Sequence, residues 1–185
     1  MSNTIKIQAP FTKDIAKKLK AGDNILISGT IIAARDAAHK ALSEALARGE
    51  KLPIELQNET IYYLGPSPAK PGEVIGAAGP TTSGRMDKYT PAILDLGVVC
   101  MIGKGYRSKE VIDSIVKNGA VYMVAIGGAG ALISKSIKKY EILAYPELGP
   151  EAIARLTVEE FPAIVAIDSL GNNFYEIGQK PYAKV

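Results

Sequence analysis

Three cationic side chains and one glycine-rich segment lie in the loops that follow apolar runs of the sequence. They are Arg35, Arg85, Lys104 and the segment GGAG at residues 127–130. A guanidinium group binds a carboxylate or phosphate through two parallel hydrogen bonds, and a lysine adds a point charge. Two arginines in separate loops suit a small ligand that carries an anionic group at each end.

The turn GPTTSGR, which ends at Arg85, also carries three hydroxyl groups. The ordinary role of a serine or threonine before a helix is to cap it, which accounts for Thr82 or Ser83. Thr81 is then the hydroxyl that capping explains least. If Arg85 holds one end of a ligand, Thr81 lies within reach of the middle of that ligand.

Gly127 and Gly128 are expected to offer backbone N–H groups to an anion, because GGAG precedes a predicted helix. The segment contains neither GK[ST] nor GxGxxG, so the nucleotide interpretation is weak. The sequence has one histidine, His39, and one cysteine, Cys100. His39 either orients a carboxylate or assists proton transfer; alternatively, it packs against the helix start and bonds to Asp36.

A single cysteine excludes an internal disulfide and any metal site built on several thiolates. We therefore predict that this chain holds no metal by itself. Cys100 lies among apolar residues and is predicted to be a buried, inert thiol.

The elements that must position these residues alternate between strands and helices, which predicts an α/β fold with a mostly parallel sheet. Strands are predicted at 4–8, 24–34, 60–64, 73–78, 98–102, 120–126, 141–144 and 163–169. Helices are predicted at 12–20, 36–49, 84–96, 108–117, after 127 and at 150–156. Ligands of such sheets bind beyond the carboxyl ends of the strands, so neighbouring strands would bring the cations into one crevice.

The 185 residues, 47% hydrophobic and 22% charged, predict one domain that spans 1–185. Basic and acidic residues are mixed, with a net charge of +3 and no basic stripe interleaved with aromatics, so nucleic-acid binding is not expected. The sequence shows no signal-peptide core and no apolar stretch of about 18 residues, so we predict a cytoplasmic protein with no membrane span.

The segments GPTTSGRMDKYTPAILDLG, IGKG and AIGGAGAL together resemble the C-terminal region of the iron–sulfur (class I) fumarases and the β subunits of L-tartrate dehydratases. The likeness extends from SGTIIAARDAAHK to EEFPAIVAIDSLGNNFY, which is most of the chain. The resemblance implies a three-layer β/β/α swivelling domain with a mostly parallel central sheet. It also implies a partner α subunit, or an N-terminal region in one-chain members, that holds a 4Fe-4S cluster through three cysteines.

The resemblance implies a reversible hydration of fumarate to L-malate, or a dehydration of tartrate to oxaloacetate, in which the cluster acts as Lewis acid. Carried over by motif, Arg35 in ARDAAH, Arg85 in TTSGR and Lys104 in IGKG bind the substrate carboxylates. Thr81 corresponds to a proposed general base. A threonine hydroxyl can act so only as an alkoxide stabilised by Arg85, or as a relay to a stronger base.

The sequence thus predicts the β subunit of a two-subunit iron–sulfur hydro-lyase, with fumarate preferred and L(+)-tartrate left open. A non-catalytic anion-binding regulatory module and a nucleotide-binding enzyme are the rival interpretations. The predicted partners are a cluster-bearing α subunit and a small dicarboxylate, within a higher hetero-oligomer and without nucleic acid or membrane.

Overall fold

A computed structural model describes residues 4–182 as a seven-stranded sheet with helices. The strands are β1 (Thr4–Ala9), β2 (Asn24–Ala33), β3 (Thr60–Tyr62), β4 (Cys100–Gly103), β5 (Val121–Val124), β6 (Ile137–Ala144) and β7 (Ile153–Ile167). The α-helices are α1 (Lys13–Ala16), α2 (Asp36–Ala47), α3 (Thr90–Asp95), α4 (Lys109–Asn118), α5 (Gly130–Ile133) and α6 (Phe174–Ile177). Short 3₁₀ turns cover Ser83–Met86, Ser134–Ser136, Pro146–Glu151 and Lys180–Tyr182.

Strands β1 to β5 pair in parallel and in chain order, which confirms the mostly parallel sheet. The long strand β7 is antiparallel to its neighbours. One of its edges pairs with β2, and the other pairs with β6 and then with β5. Because β7 joins β5 back to β2, the strands β2, β3, β4, β5 and β7 form a closed ring.

In the central strands, alternate residues face two separate hydrophobic clusters, as the two-residue period of a strand requires. The inner cluster, which includes Ile31, Tyr62 and Ile102, is shared by the facing sides of the strands. The outer cluster includes the intervening residues Ile32 and Met101 and the buried side chains of α2, α3 and α4. Helices α2, α3 and α4 therefore pack on the outer cluster, while Ala16 of α1 and Ile133 of α5 join the strands in the inner one.

Helices α2 and α4 form where the sequence predicts them. Local chemistry explains where α4 begins and where α2 ends. The Ser108 hydroxyl caps α4 by accepting a hydrogen bond from the Val111 N–H. Helix α2 ends one residue before its C-cap, Arg48, and Gly49 then takes a left-handed φ of 69°. A glycine in that position frees the chain to turn away from the helix.

Three predicted elements are wrong. The run 73–78 is not a strand, because its backbone groups bond to loops instead: the Ala77 N–H donates to Ser67 Oγ and the Ala78 N–H donates to the Gly130 carbonyl. The helix predicted at 84–96 is divided into a 3₁₀ turn and α3. Proline fits the first turn of a helix but not its interior, so Pro91 belongs at the start of α3.

The helix predicted at 150–156 is instead the end of a 3₁₀ turn followed by the start of β7. Ala154, Leu156 and Val158 are buried while Arg155 between them is exposed, which is the alternation of a strand. Pairing with β2 and β6 on both edges outweighs the helical propensity of this segment. No helix among residues 4–182 combines the length and the apolar character needed to cross a membrane.

Candidate functional site

The predicted site residues lie at the carboxyl ends of four adjacent parallel strands. Arg35 follows β2, Lys104 follows β4, and Gly127 and Gly128 follow β5. The turn that contains Thr81 lies at the end of β3. Because β2, β3, β4 and β5 are neighbours in the sheet, the structure brings these residues to one edge, as the sequence predicts.

The segment 81–83 extends the sheet between the ends of β3 and β4. The Thr81 N–H donates to the Tyr63 carbonyl at 2.7 Å, and the Lys104 N–H donates to the Thr81 carbonyl at 3.3 Å. The Ser83 N–H then donates to the Lys104 carbonyl at 2.9 Å. Backbone hydrogen bonds thus fix Thr81 and Lys104 to each other. The predicted strand 73–78, which does not form, has no part in this.

A glycine at the end of β4 makes this close approach possible. A Cβ atom on Gly103 would overlap the Ser83 hydroxyl and would lie 2.8 Å from the Tyr63 ring. A larger residue at this position would push the turn away from the sheet. The absence of a side chain at Gly103 is therefore what lets the hydroxyl-rich turn sit against β4.

Thr81 is 8% exposed, and its hydroxyl forms no hydrogen bond to any residue from 4 to 182. Capping does not explain its neighbours: Thr82 precedes the 3₁₀ turn, but its side chain makes no capping bond. Ser83 is buried, with its Oγ 2.8 Å from the Tyr122 hydroxyl, which also lies 2.9 Å from the Gly105 carbonyl. Because that carbonyl can only accept, the Tyr122 phenol donates to it and accepts from Ser83.

Arg35 and Arg85 meet in an ion-pair cluster with two carboxylates. Arg85 Nε donates to Asp36 Oδ1 at 2.8 Å, and Asp36 Oδ2 lies 4.0 Å from Arg35 Nε. Arg35 Nη2 donates to Glu151 Oε1 at 3.0 Å, and the other oxygen, Oε2, accepts from the Ala37 N–H at 2.7 Å. The sequence predicts that the two arginines bind opposite ends of a ligand, but Asp36 lies between them and holds them close together on one side of the site.

Lys104 is exposed, and its side chain extends over Gly127, whose added Cβ would lie 3.5 Å from Lys104 Cδ. Gly127 and Gly128 form an exposed turn rather than the first residues of a long helix. Helix α5 has only four residues, so its dipole adds little to the backbone N–H groups on which the sequence prediction relied.

His39 lies behind the cations rather than among them. It is 1% exposed, and its ring packs edge-on to Tyr63 at 5.3 Å. Its Nδ1 donates to the Arg35 carbonyl at 2.9 Å, so its partner is that carbonyl and not Asp36. Burial lowers the His39 pKa to about 4, and the positive charge of Arg107 acts in the same direction. His39 is therefore neutral at pH 7 with a buried, unpaired Nε2.

The burial of neutral His39 predicts a pH-dependent stability. The unfolded histidine binds a proton below its ordinary pKa near 6.5 and the folded one only below about 4, so the unfolded state binds more protons between these values. The free energy of unfolding should fall by about 2 kcal/mol between pH 7 and pH 5. Urea titrations at the two pH values measure this fall.

The His39→Gln variant is the control for this prediction, because the chain contains no other histidine. In the variant, the free energy of unfolding should fall between pH 7 and pH 5 by much less than the fall of about 2 kcal/mol expected for the parent chain. An unchanged difference would show that His39 is not the group that titrates.

A buried arginine, Arg107, connects segments next to the site, and it was not predicted from the sequence. The Arg107 side chain is fully buried, and its Nε donates to Asp87 Oδ1 at 2.7 Å. Its two Nη atoms donate to Thr90 Oγ1 at 2.7 Å and to the Tyr63 hydroxyl at 3.3 Å. Asp87 Oδ2 accepts from the Ser108 N–H, so Arg107 ties the turn after Arg85 to the start of α4.

No group of three or more histidine, cysteine, aspartate and glutamate side chains that could hold a metal ion occurs within the described range 4–182. Cys100 is buried in β4, as predicted, and burial raises the pKa of its thiol above the ordinary value. A thiol that resists ionisation in an apolar core is a poor metal ligand. The residues of this chain therefore do not fit an iron–sulfur cluster.

Comparison with known proteins identifies relatives along nearly the whole chain. The family model for the fumarase C-terminus matches residues 1–178. The chain is 44% identical over 152 residues to the aerobic class I fumarate hydratase of Salmonella typhimurium. This match covers 81% of this chain and 26% of that protein. It is 42% identical to fumarate hydratase 2 of Leishmania major, over 83% of this chain and 28% of that protein.

A third relative has nearly the same length as this chain. It is the putative L(+)-tartrate dehydratase subunit beta of Methanocaldococcus jannaschii, which is 40% identical over 94% of this chain and 93% of that protein. The chain thus spans only 26% of the Salmonella fumarate hydratase but almost all of the archaeal subunit. With the family model matched over residues 1–178 and these identities, the chain belongs to the fumarase C-terminus family.

Proposed function

We propose that this chain is the substrate-binding β subunit of an iron–sulfur-dependent hydro-lyase that interconverts fumarate and L-malate. The observation that carries the proposal is that Arg35, Arg85 and Lys104 lie at one edge of the sheet with Thr81, whose hydroxyl has no hydrogen-bond partner within residues 4–182. Three cations around a small open surface favour a ligand with more than one negative charge.

The two ends of a dicarboxylate have separate partners in this arrangement. Arg35 and Arg85 lie on one side, joined through Asp36, and Lys104 lies on the other side, over Gly127. We infer that the arginines hold one carboxylate and that Lys104, with the backbone of Gly127 and Gly128, holds the second. The carbon atoms between the carboxylates then lie near Thr81, whose backbone is bonded to Lys104.

In this proposal Thr81 Oγ1 moves the proton at the carbon next to the bound carboxylate. A free threonine hydroxyl is far too weak a base at pH 7, so positive charge must stabilise its ionised form. In this proposal the charge comes from Arg85, four residues further along the same turn, and from Lys104, whose backbone is bonded to that of Thr81. Its low exposure of 8% also keeps water from competing for the hydroxyl.

We propose that the 4Fe-4S cluster is held by a partner α subunit. This rests on the poor fit of the chain's own residues, since its one cysteine is buried in β4. It also rests on the match to 93% of a relative that is named as a putative L(+)-tartrate dehydratase subunit beta, a name that implies a further subunit. In this proposal the α subunit covers the open edge of the sheet within a higher hetero-oligomer.

Tartrate dehydration is the second candidate function, and it is favoured by one observation. The relative that this chain matches over 93% of its own length is named as a putative L(+)-tartrate dehydratase subunit beta. Tartrate is also a four-carbon dicarboxylate and would use the same cations. The described residues of this chain make the same contacts available to both substrates.

The test is an anaerobic reconstitution of the purified chain with its cluster-bearing subunit. The chain alone should be inactive, and the pair should interconvert fumarate and L-malate. Turnover of L-tartrate in preference to L-malate would support the second candidate. If the reconstituted pair binds dicarboxylates but turns over neither substrate, both hydro-lyase candidates are rejected. The non-catalytic regulatory module then remains.

Arg85→Ala is expected to lower kcat/KM by roughly ten- to over a hundredfold, because truncating a charge-assisted hydrogen bond costs about 1.5–3 kcal/mol. Arg85→Lys should restore only part of this loss, since a point charge cannot replace the planar fork. Steady-state kinetics of the reconstituted enzyme give both values.

Lys88→Ala is the matched control for Arg85→Ala. Lys88 is exposed in the same segment, and its replacement by alanine removes the same charge. Its ammonium lies over the Tyr89 ring at 4.7 Å rather than at the site. Its kcat/KM should stay within about twofold of the parent value. Equal losses in the two variants would mean that Arg85 acts only through the general charge of the surface.

A further inference from the structure

The two arginines of the site are held by carboxylates that come from different parts of the chain. Asp36 begins α2 and accepts from Arg85 Nε at 2.8 Å. Glu151 ends the turn Pro146–Glu151 and accepts from Arg35 Nη2 at 3.0 Å, 116 residues away in sequence. Both carboxylates are mostly buried, with side chains 27% and 22% exposed, so water screens these ion pairs only partly.

Glu151 also fixes the backbone from which Arg35 projects. Its Oε2 accepts from the Ala37 N–H in the first turn of α2, where the helix leaves N–H groups without intrahelical partners. The opposite side of the Arg35 guanidinium lies against the backbone of Gly65, where an added Cβ would overlap it. Arg35 is therefore confined by a carboxylate on one side and by a glycine on the other.

These contacts leave one defined set of donors free on each arginine. Arg85 uses Nε for Asp36, and within residues 4–182 its two Nη atoms have no hydrogen-bond acceptor. Arg35 uses Nη2 for Glu151; its Nε lies 4.0 Å from Asp36 Oδ2, too far for a hydrogen bond, so Nε and Nη1 both have no acceptor in the same range. A ligand carboxylate therefore meets donors whose directions are already set.

We propose that Asp36 and Glu151 are positioning residues, which orient Arg85 and Arg35 toward a ligand carboxylate without touching it. The inference rests on the proposed function, because it takes the two arginines as the carboxylate-binding residues. Long, flexible side chains lose rotamer freedom when they bind a ligand, and orientation before binding removes part of that cost. Neutralising either carboxylate should then weaken binding, although it makes the site more positive.

The opposite result follows if the carboxylates merely compete with the ligand for the arginines. Asp36 and Glu151 would then occupy donors that the substrate needs, and removing their charges would tighten binding. The sign of the change in affinity therefore distinguishes a positioning role from an inhibitory one.

The variants that test the proposal are Asp36→Asn and Glu151→Gln, which keep the size and one acceptor oxygen of each side chain. Their controls are Glu44→Gln on α2, which pairs only with Lys40 at 3.8 Å, and Glu147→Gln in the same turn as Glu151. Circular dichroism establishes that each variant is folded. The two variants lie in separate segments, so either one alone carries the test.

Two affinities are measured, the KM for L-malate of the reconstituted enzyme and the dissociation constant of succinate with the full chain alone. We expect both to rise about three- to tenfold in Asp36→Asn and Glu151→Gln and to stay within about twofold in the controls. Loss of folded protein lowers kcat but leaves KM unchanged, so a merely structural role would not produce this pattern.

The outcomes separate this proposal from the proposed function. If the variants weaken succinate binding but the reconstituted parent enzyme turns over no dicarboxylate, the positioning role stands and the hydro-lyase proposal falls. If the parent enzyme is active and neither affinity weakens in the variants, or either tightens, the positioning role is wrong. Absence of both succinate binding and turnover in the parent protein overturns the two proposals together.

Discussion

Replacing Thr81 with alanine is expected to lower kcat by about a hundredfold or more, while KM changes by less than about threefold. Proton transfer by a positioned side chain contributes roughly 10²–10⁴ in rate, and this contribution is lost with the hydroxyl. Thr81 forms no hydrogen bond through its hydroxyl to residues 4–182, so the substitution leaves no partner unsatisfied there. The loss should therefore appear in the rate of the reaction and not in stability.

The neighbouring hydroxyl provides the control for this prediction. Thr82 is exposed and makes no capping bond, so Thr82→Ala should keep kcat within about twofold. Thr81→Ser keeps the hydroxyl and should retain much of the activity. Steady-state kinetics and thermal melts of the three variants are compared. A Thr81→Ala protein with unchanged kcat and a lowered melting temperature would make Thr81 a structural residue.

Arg107→Met is expected to lower the free energy of unfolding by about 3–5 kcal/mol, because it leaves a largely buried carboxylate without its cation. Asp87 is 16% exposed and would keep only the Ser108 N–H as donor. Thr90 and the Tyr63 hydroxyl would lose a donor as well. Arg107→Lys should recover part of the loss, since an ammonium reaches Asp87 but cannot serve all three partners. Equilibrium denaturation in urea measures each value.

The matched control for Arg107 is an exposed ion pair on α4. Lys109 Nζ lies 2.6 Å from Asp113, but the two side chains are 82% and 63% exposed. Lys109→Met should cost less than about 1 kcal/mol, as is usual for surface pairs. If Arg107→Met cost no more than Lys109→Met, the buried network would not be a major source of stability.

Much of the sheet could be predicted because its strands and turns carry local signals. The branched run at β2, the Ser108 cap of α4 and the glycine after α2 each specify their element within a few residues. The placement of Arg35 and Lys104 was predictable for the same reason, since each follows a strand that ends at the same edge of the sheet. Arg85 follows a run that is not a strand, and its ion pair with Asp36 brings it to that edge.

The remaining features depend on partners distant in sequence. Nothing near Glu151 indicates that it bonds to Arg35, because the two are 116 residues apart. Arg107 pairs with Asp87 across 20 residues and between two separate loops, so only the fold brings them together. The run 73–78 is apolar because Ile75 and Ala78 are buried, but burial does not require a strand. The family role of Thr81 came from the resemblance and not from its local pattern.

The long strand β7 has a consequence for how the protein is made. It pairs with β2 through residues 154–164 and with β5 through residues 164–167, so the ring cannot close until the ribosome has passed residue 167. Until then β2 and β5 expose unpaired strand edges, which readily join other chains. A nascent chain shortened before β7 is therefore expected to aggregate or to need a chaperone, because β7 is synthesised after the strands whose edges it covers.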